Sequence, residues 1–311
     1  MENLLISLNT VLYMLLIMGI GRASFSKLPD RQRVIAQVNK LVFKLFLPAM
    51  VFQNIYTTDL KTAFDGALLA YLLVILAVMW LLLMVLVPCF LTDRRTCGAF
   101  IQGCLRSNSI IFGLPLIAGL FPGQDLGCPT ILTAITTVVF NVIGIITLEF
   151  FRGNKPDPRT ILRNLSRNPV LLASLAAIAL VALRLSLPEF LAKTVGAMAG
   201  MASPMGLLLI GASLQFQKQA HNRALWISLF LRLFLIPAIS LLGAALLGWH
   251  GLELCTVLII MAAPTSVSAY SMAQVMDSDS TFAANQVGLG SILGAGTVFL
   301  WTVLLNAFTL L

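Results

Sequence analysis

From Ala67 to Val87 the chain reads ALLAYLLVILAVMWLLLMVLV, twenty-one residues without a charge. About 20 apolar residues are what one α-helix needs to span the hydrocarbon core of a bilayer. Strands of a membrane barrel alternate apolar and polar residues, and this stretch does not. The rest of the chain is built alike. Of 311 residues, 59% are hydrophobic and 10% are charged, with a mean hydropathy of +0.96. A soluble domain carries roughly 25% charged residues. The expected class is an all-α membrane protein with ten transmembrane helices, at 3–21, 34–55, 66–91, 96–121, 127–150, 169–186, 194–216, 224–248, 252–276 and 282–308.

The net charge is +8, but the lysines and arginines sit in loops beside apolar spans, which argues against nucleic acid as a partner and for the lipid bilayer. Loops after odd-numbered spans hold thirteen of them: Arg22, Lys27, Arg31, Arg33, Arg94, Arg95, Arg152, Lys155, Arg159, Arg163, Arg167, Lys218 and Arg223. Loops after even-numbered spans hold three, Lys61, Arg184 and Lys193. Cytoplasmic loops carry the excess of positive charge. The odd loops, including 152–168, are therefore expected in the cytoplasm, with the plasma or inner membrane as the location and both termini outward. The opening MENLL lacks the positive region of a signal peptide, so no cleaved leader is expected.

Shifting the chain by 156 residues superimposes Pro48 on Pro204 and Asn108 on Pro264. Five spans per half is an odd number, so the second half enters the membrane inverted. Two inverted five-helix repeats, 1–152 and 157–311, are the plan of many secondary transporters. Corresponding spans also carry polar runs beside helix breakers: CLRSNSIIFGLP (104–115) and MAAPTSVSAYSMAQ (261–274). Proline removes an N–H and clashes with the preceding turn, and glycine tolerates unusual backbone. Breaks are expected at Gly113, Pro115 and Pro264, with Pro48 and Pro204 as further breakers. Unsatisfied backbone at membrane depth survives only inside protein or against a cavity. Two crossing broken helices, 4 and 9, therefore mark the expected binding site.

At these residues the chain resembles the auxin efflux carrier family. SNSIIFGLPL (107–116) resembles its fourth-helix signature, APTSVSAYSMAQ (263–274) its ninth-helix crossover, and NKLVFKLFLPAMVFQN (39–54) its second helix. The family includes plant auxin exporters and short bacterial permeases for malate or malonate. The resemblance implies the fold of sodium–bile acid symporters. Spans 1, 2, 6 and 7 then form a scaffold, and spans 3–5 and 8–10 a mobile transport domain that works as an elevator. It also implies a homodimer through the scaffold helices and substrate contact by Asn108. Ser268 stands where many bacterial relatives carry a second Asn. The long cytoplasmic loop of many plant auxin exporters is absent, which favours the short permeases.

Residue chemistry points the same way. Arg106 is costly inside a span and functional by default; its guanidinium matches a carboxylate, or else holds broken-helix carbonyls. Ser107, Ser109, Thr265, Ser266 and Ser268 either cap the broken ends or touch the ligand. Lys44 offers charge toward an anion, Asn141 lines the cavity, and Tyr270 gates it or stacks on substrate. Arg232 lies inside span 8 without an evident task. The expected substrate is a small organic anion, a carboxylate of the auxin or malate type. No acid is evident at membrane depth for a proton relay. No bound cofactor or metal is expected, and sodium or a proton remains the candidate coupling ion of an uptake symporter, the alternative to voltage-driven export. An intramembrane enzyme is disfavoured: there is no GxSxG or HExxH, and His221 and His250 flank opposite membrane faces. The five cysteines have no metal-ligand spacing.

Overall fold

The computed structural model describes residues 2–26, 28–57, 65–153, 159, 162–163, 166–183, 185–213 and 222–310. Lys27, Lys61, Lys155, Arg184, Lys218 and His221 lie outside the described residues, as does most of the expected 152–168 connector. α1 is Glu2–Ser26. α2 (Arg31–Leu41) runs through a π-turn (Val42–Phe46) into α3 (Leu47–Tyr56). α4 is Gly66–Phe90. α5 (Arg94–Leu105) stops, and helix resumes as a π-turn (Ser109–Gly113) and α6 (Leu114–Leu120). α7 is Gly127–Phe151, α8 Pro169–Ala182 and α9 Glu189–Ser213. α10 (Arg223–Phe230) passes a π-turn (Leu231–Leu235) into α11 (Ile236–Leu246). α12 (Gly251–Ala262) and α13 (Ser268–Val275) flank a second gap, and α14 is Ser280–Ala307.

Among the described residues, five stretches are by length and composition able to cross a membrane: Arg31–Tyr56, Gly66–Phe90, Gly127–Phe151, Glu189–Ser213 and Arg223–Leu246. A sixth is α14, if its two arms, bent by 42°, count as one span. That is fewer than the ten expected. Part of the reason is physical: two expected spans are cut into halves, α5 and α6 of 12 and 7 residues, and α12 and α13 of 12 and 8.

α4 shows how a helix sits in such a protein. Leu68, Leu72, Leu76, Met79, Leu83 and Val87 recur every three or four residues and are buried. The opposite stripe, with Leu81, Leu82, Val85 and Leu86, is exposed and equally apolar. In water such a stripe is a liability; against lipid it is the natural outer surface. Aromatic residues tie helices together by their polar tips. The Trp80 indole donates to Thr147 Oγ1 at 2.9 Å, Tyr71 to the Ser240 carbonyl at 2.5 Å, and Trp301 to the Leu233 carbonyl at 3.0 Å.

Helix breakers act differently from the expectation at four positions. Pro48, Pro115 and Pro237 each follow a π-turn by two residues. Proline clashes with the carbonyl four residues back and lacks an N–H; the wider π-turn relieves both, so the chain bends without stopping. Pro48 and Pro115 therefore re-register their helices and do not break them. Pro204 lies inside the continuous α9 and breaks nothing. Gly113 ends a π-turn, and its role is space: a Cβ there would stand 2.8 Å from Ile259 Cβ. Only Pro264 sits in a true gap.

Helices pack most heavily within two groups. In the first, α1 packs on α9, and α3 on both α8 and α9; in the second, α4, α5, α7 and α10–α14 pack on one another; α1 and α9 also meet α14 across the two groups. At one end the second group is tied by polar contacts. Asp93 caps α5, accepting from the Arg95 and Thr96 N–H groups. Partial burial raises its carboxyl, but hydrogen bonds from Thr96 and Arg95 outweigh that and hold it below the usual carboxylate range. Asp277 and Asp279 belong to the same set of contacts. Arg152 bridges Glu149 (3.1 Å) and Asp277 (2.8 Å), and Asp279 caps α14.

Candidate functional site

The two gaps cross. Arg106, Ser107 and Asn108 leave the helix, as do Ala263 to Val267 on the other chain segment. Ser107 and Thr265 pair as an antiparallel bridge. The Asn108 N–H donates to the Pro264 carbonyl at 2.9 Å, and the Ser266 N–H to the Arg106 carbonyl at 3.0 Å. The break thus lies at Arg106–Asn108, upstream of the Gly113–Pro115 position expected from sequence.

A helix end buried at membrane depth must satisfy its last carbonyls. For α5 every one is accounted for. Gln102 accepts from the Arg106 N–H at 2.9 Å, and Gly103 from the Thr265 hydroxyl at 2.8 Å. Cys104 and Leu105 accept from Arg232 Nη1 at 3.3 and 3.2 Å. Arg232 Nη2 also reaches the Ala263 carbonyl, past the end of α12. Thr265→Val, an isosteric change, should strand the buried Gly103 carbonyl and cost about 1–3 kcal/mol of stability. A lower melting temperature than wild type in detergent checks this; an unchanged one means that the crossover relaxes around the loss.

A cavity of about 440 Å³ opens beside the crossing. One wall is the linkers and α7: Arg106, Ser107, Asn108, Asn141, Ser266 and Ser268. The facing wall comes from α1, α3 and α9, including Tyr13, Gln53, Asn54 and Ser203. Among the lining residues Arg106 alone is charged. It is 4% exposed. Its Nε donates to Ser268 Oγ at 2.9 Å, Nη1 lies 2.9 Å from the Met272 sulfur, and Nη2 donates to Asn141 Oδ1. All three partners are neutral, and no carboxylate lies within 4.0 Å of it among the described residues. The buried cavity-wall atoms Gln53 Oε1, Ser107 Oγ, Asn108 Nδ2, Asn141 Nδ2 and Ser271 Oγ also have no protein partner. Burying a polar group unpaired is costly, so this wall is built for a polar occupant. The helices resuming at Ser109 and Ser268 have no side-chain cap. Such N-terminal ends favour anions.

On α9 the cavity lining ends at Leu207, short of Ser213 at the end of that helix. There Ser213 Oγ and Tyr270 Oη lie 2.5 Å apart, and Asn39 Nδ2 donates to the Ser271 carbonyl at 3.0 Å. Tyr270 therefore bonds across to α9 and is not on the cavity wall. Three other expected contacts are also elsewhere. Thr265 is spent on Gly103. Ser109 is buried off the cavity. Lys44 is exposed and outside the lining, because its helix turns that face away from the crossover. The sequence reading missed Gln53, Ser271 and Met272. Gln53 and Asn54 were signalled by their polarity at the end of an apolar span. Met272 had no signal, since a thioether near a guanidinium looks like core in sequence.

Residues 6–157 and 158–302 match the family described as membrane transport protein. The chain belongs to that family. The auxin efflux carrier-like relationship read from the three motifs is borne out. A relative from Methanothermobacter thermautotrophicus, called an uncharacterized transporter, is 23% identical over 277 residues, covering 86% of this chain and 88% of that protein. The protein is a multi-pass membrane transporter and not an enzyme. In a transporter the features above have a common sense: a polar wall at a helix crossing, one cation facing a cavity, and a second cation behind it on the helix ends.

Proposed function

We propose that this transporter carries small organic anions, carboxylates in particular, through the crossover cavity by alternating access. The observation that carries the reading is Arg106: a buried guanidinium in the cavity wall with only neutral partners. A carboxylate entering there gains a charge-assisted, fork-shaped partner and supplies acceptors for Asn108 Nδ2 and Asn141 Nδ2. A volume of about 440 Å³ suits a small metabolite.

In this reading ten spans form two inverted repeats, 1–152 and 157–311. α1–α3, α8 and α9 are the scaffold, and α4–α7 with α10–α14 are the transport domain that moves past it as an elevator. The two packing groups support that division. The excess of positive charge in odd loops supports outward termini in the cell membrane, and then the cavity faces outward with the Tyr270–Ser213 contact closing the cytoplasmic side. A homodimer through the scaffold fits the exposed apolar face of α8, where Leu172, Leu175 and Ile178 stand out. Export is favoured over uptake. A monoanion leaving a cell that is negative inside gains about 2.3 kcal/mol per 100 mV, and a dianion about twice that.

Thermal shift of the detergent-purified protein against mono- and dicarboxylates, indole-3-acetate and bile acids tests the site. A ligand at a hundred times its Kd should add about 2.7 kcal/mol. One acid is expected to raise the melting temperature without sodium. Asn108→Ala should weaken it roughly ten- to a hundredfold, since a hydrogen bond to a charged group is worth about 1.5–3 kcal/mol. A shift unchanged in Asn108→Ala refutes the site; no shift from any carboxylate refutes the substrate class.

A further inference from the structure

Arg232 takes no part in the cavity. It sits in the π-turn between α10 and α11 and is 0% exposed. Its guanidinium faces the carbonyls of Cys104 and Leu105, where α5 ends, and of Ala263, where α12 ends. Nε has no partner, and no carboxylate lies within 4.0 Å among the described residues. Among the described residues, the counter-charge of this arginine is therefore backbone alone.

The size of that counter-charge can be judged. A helix C-terminus carries about half a negative charge, so two ends meeting at one point present about one. That is the field of a monovalent cation site. In transporters with discontinuous helices, unwound carbonyls and half-helix C-terminal ends coordinate Na+. Here one fixed guanidinium neutralises them and binds both ends at once.

We infer that Arg232 is a tethered cation standing where a diffusible coupling ion would otherwise bind, so that the crossover is charge-complete without sodium. Arg232 and the three carbonyls belong to the same packed group of helices, so the cation stays with the site through the cycle and returns with it. The net charge moved per turnover is then that of the substrate. The opposite side of the crossover keeps its positive ends, the uncapped starts at Ser109 and Ser268, together with Arg106. Arg232 acts here as a positioning residue: it holds α5 and α12 end to end so that Arg106 and Asn108 face the cavity. The inference rests on the transport reading for its consequence, but its test needs no organic anion.

Purified wild type and Arg232→Ala are melted in detergent while sodium chloride replaces choline chloride at constant ionic strength. The variant is also melted with guanidinium chloride at low millimolar concentration. Wild type should melt at the same temperature in both salts. Arg232→Ala should melt lower and recover in a saturable way with guanidinium or sodium, but not with choline. A purely structural arginine would give the lower melting temperature without the rescue. A saturable, sodium-specific rise in wild type overturns the inference, and that arm needs no variant to fold. An Arg232→Ala protein that folds and melts alike in every salt overturns it too. Failure of every carboxylate to bind would strike the organic-anion reading and leave these melts as they are.

Discussion

Arg106→Gln should abolish organic-anion binding while leaving the empty protein at least as stable as wild type. The two halves of that result come from one fact, that Arg106 is buried with no carboxylate partner among the described residues. Removing one member of a buried, hydrogen-bonded charge pair costs about 2–5 kcal/mol of binding, roughly thirtyfold to several thousandfold in Kd. The empty protein gains because a lone buried charge is expensive. Exchanging buried ionic groups for well-packed neutral ones is often neutral, or stabilising by about 1–4 kcal/mol. The glutamine amide can still donate to Asn141 Oδ1 or Ser268 Oγ, the atoms that Arg106 uses now. Melting with and without the acid found in the ligand screen reads both effects together. A variant that loses stability but keeps its ligand shift would make Arg106 a structural residue.

Gly211→Leu should be the most destabilising single change in the first helix group. A Cβ at Gly211 would stand 1.9 Å from the Met18 carbonyl oxygen, and one at Gly21 would stand 2.1 Å from the Leu208 carbonyl oxygen. α1 and α9 therefore meet backbone to backbone, each using a glycine to admit the other. Small residues let helices approach this closely in membranes, where lipid gives no hydrophobic drive and packing supplies the attraction. The obstructing atoms are backbone, so no side chain can rotate away and one helix must move. Overpacking costs about 1–3 kcal/mol in ordinary cores, occasionally more; here the upper end or beyond is expected. Loss of monodisperse protein in detergent, or a large fall in melting temperature with anion selectivity unaltered in whatever survives, would bear this out. A Gly211→Leu protein as stable as wild type would mean that α1 does not sit against α9 in this way.

The sequence disclosed the class and the crossing more readily than the geometry. A charge-free run such as 67–87 leaves few options, and a polar run beside proline at membrane depth must be sheltered in protein. The position of the break was harder to read. Gly113 and Pro115 looked like its centre, yet α5 already ends at Leu105, ten residues before Pro115. The π-turn at Ser109–Gly113 absorbs the proline, and nothing in the local sequence announces a π-turn. Arg232 had no evident task because its partners are main-chain carbonyls at positions 104, 105 and 263, which leave no mark in residue identity. Lys44 misled for a different reason. Helical spacing tells which residues share a face, but not whether the face meets a cavity or the outside. Asn108, Asn141, Ser107, Ser266 and Ser268 were legible because a polar side chain within an apolar span needs a reason to be there.

In the proposed function an organic anion passes through the crossover and carries its own charge. The most direct measurement is the current in proteoliposomes under a gradient of the acid found by the ligand screen, with choline replacing sodium throughout. The expected result is a current with the sign of an anion moving down its gradient, and its loss in Asn108→Ala. Strict dependence of that current on sodium, or its persistence in Asn108→Ala, would contradict the account.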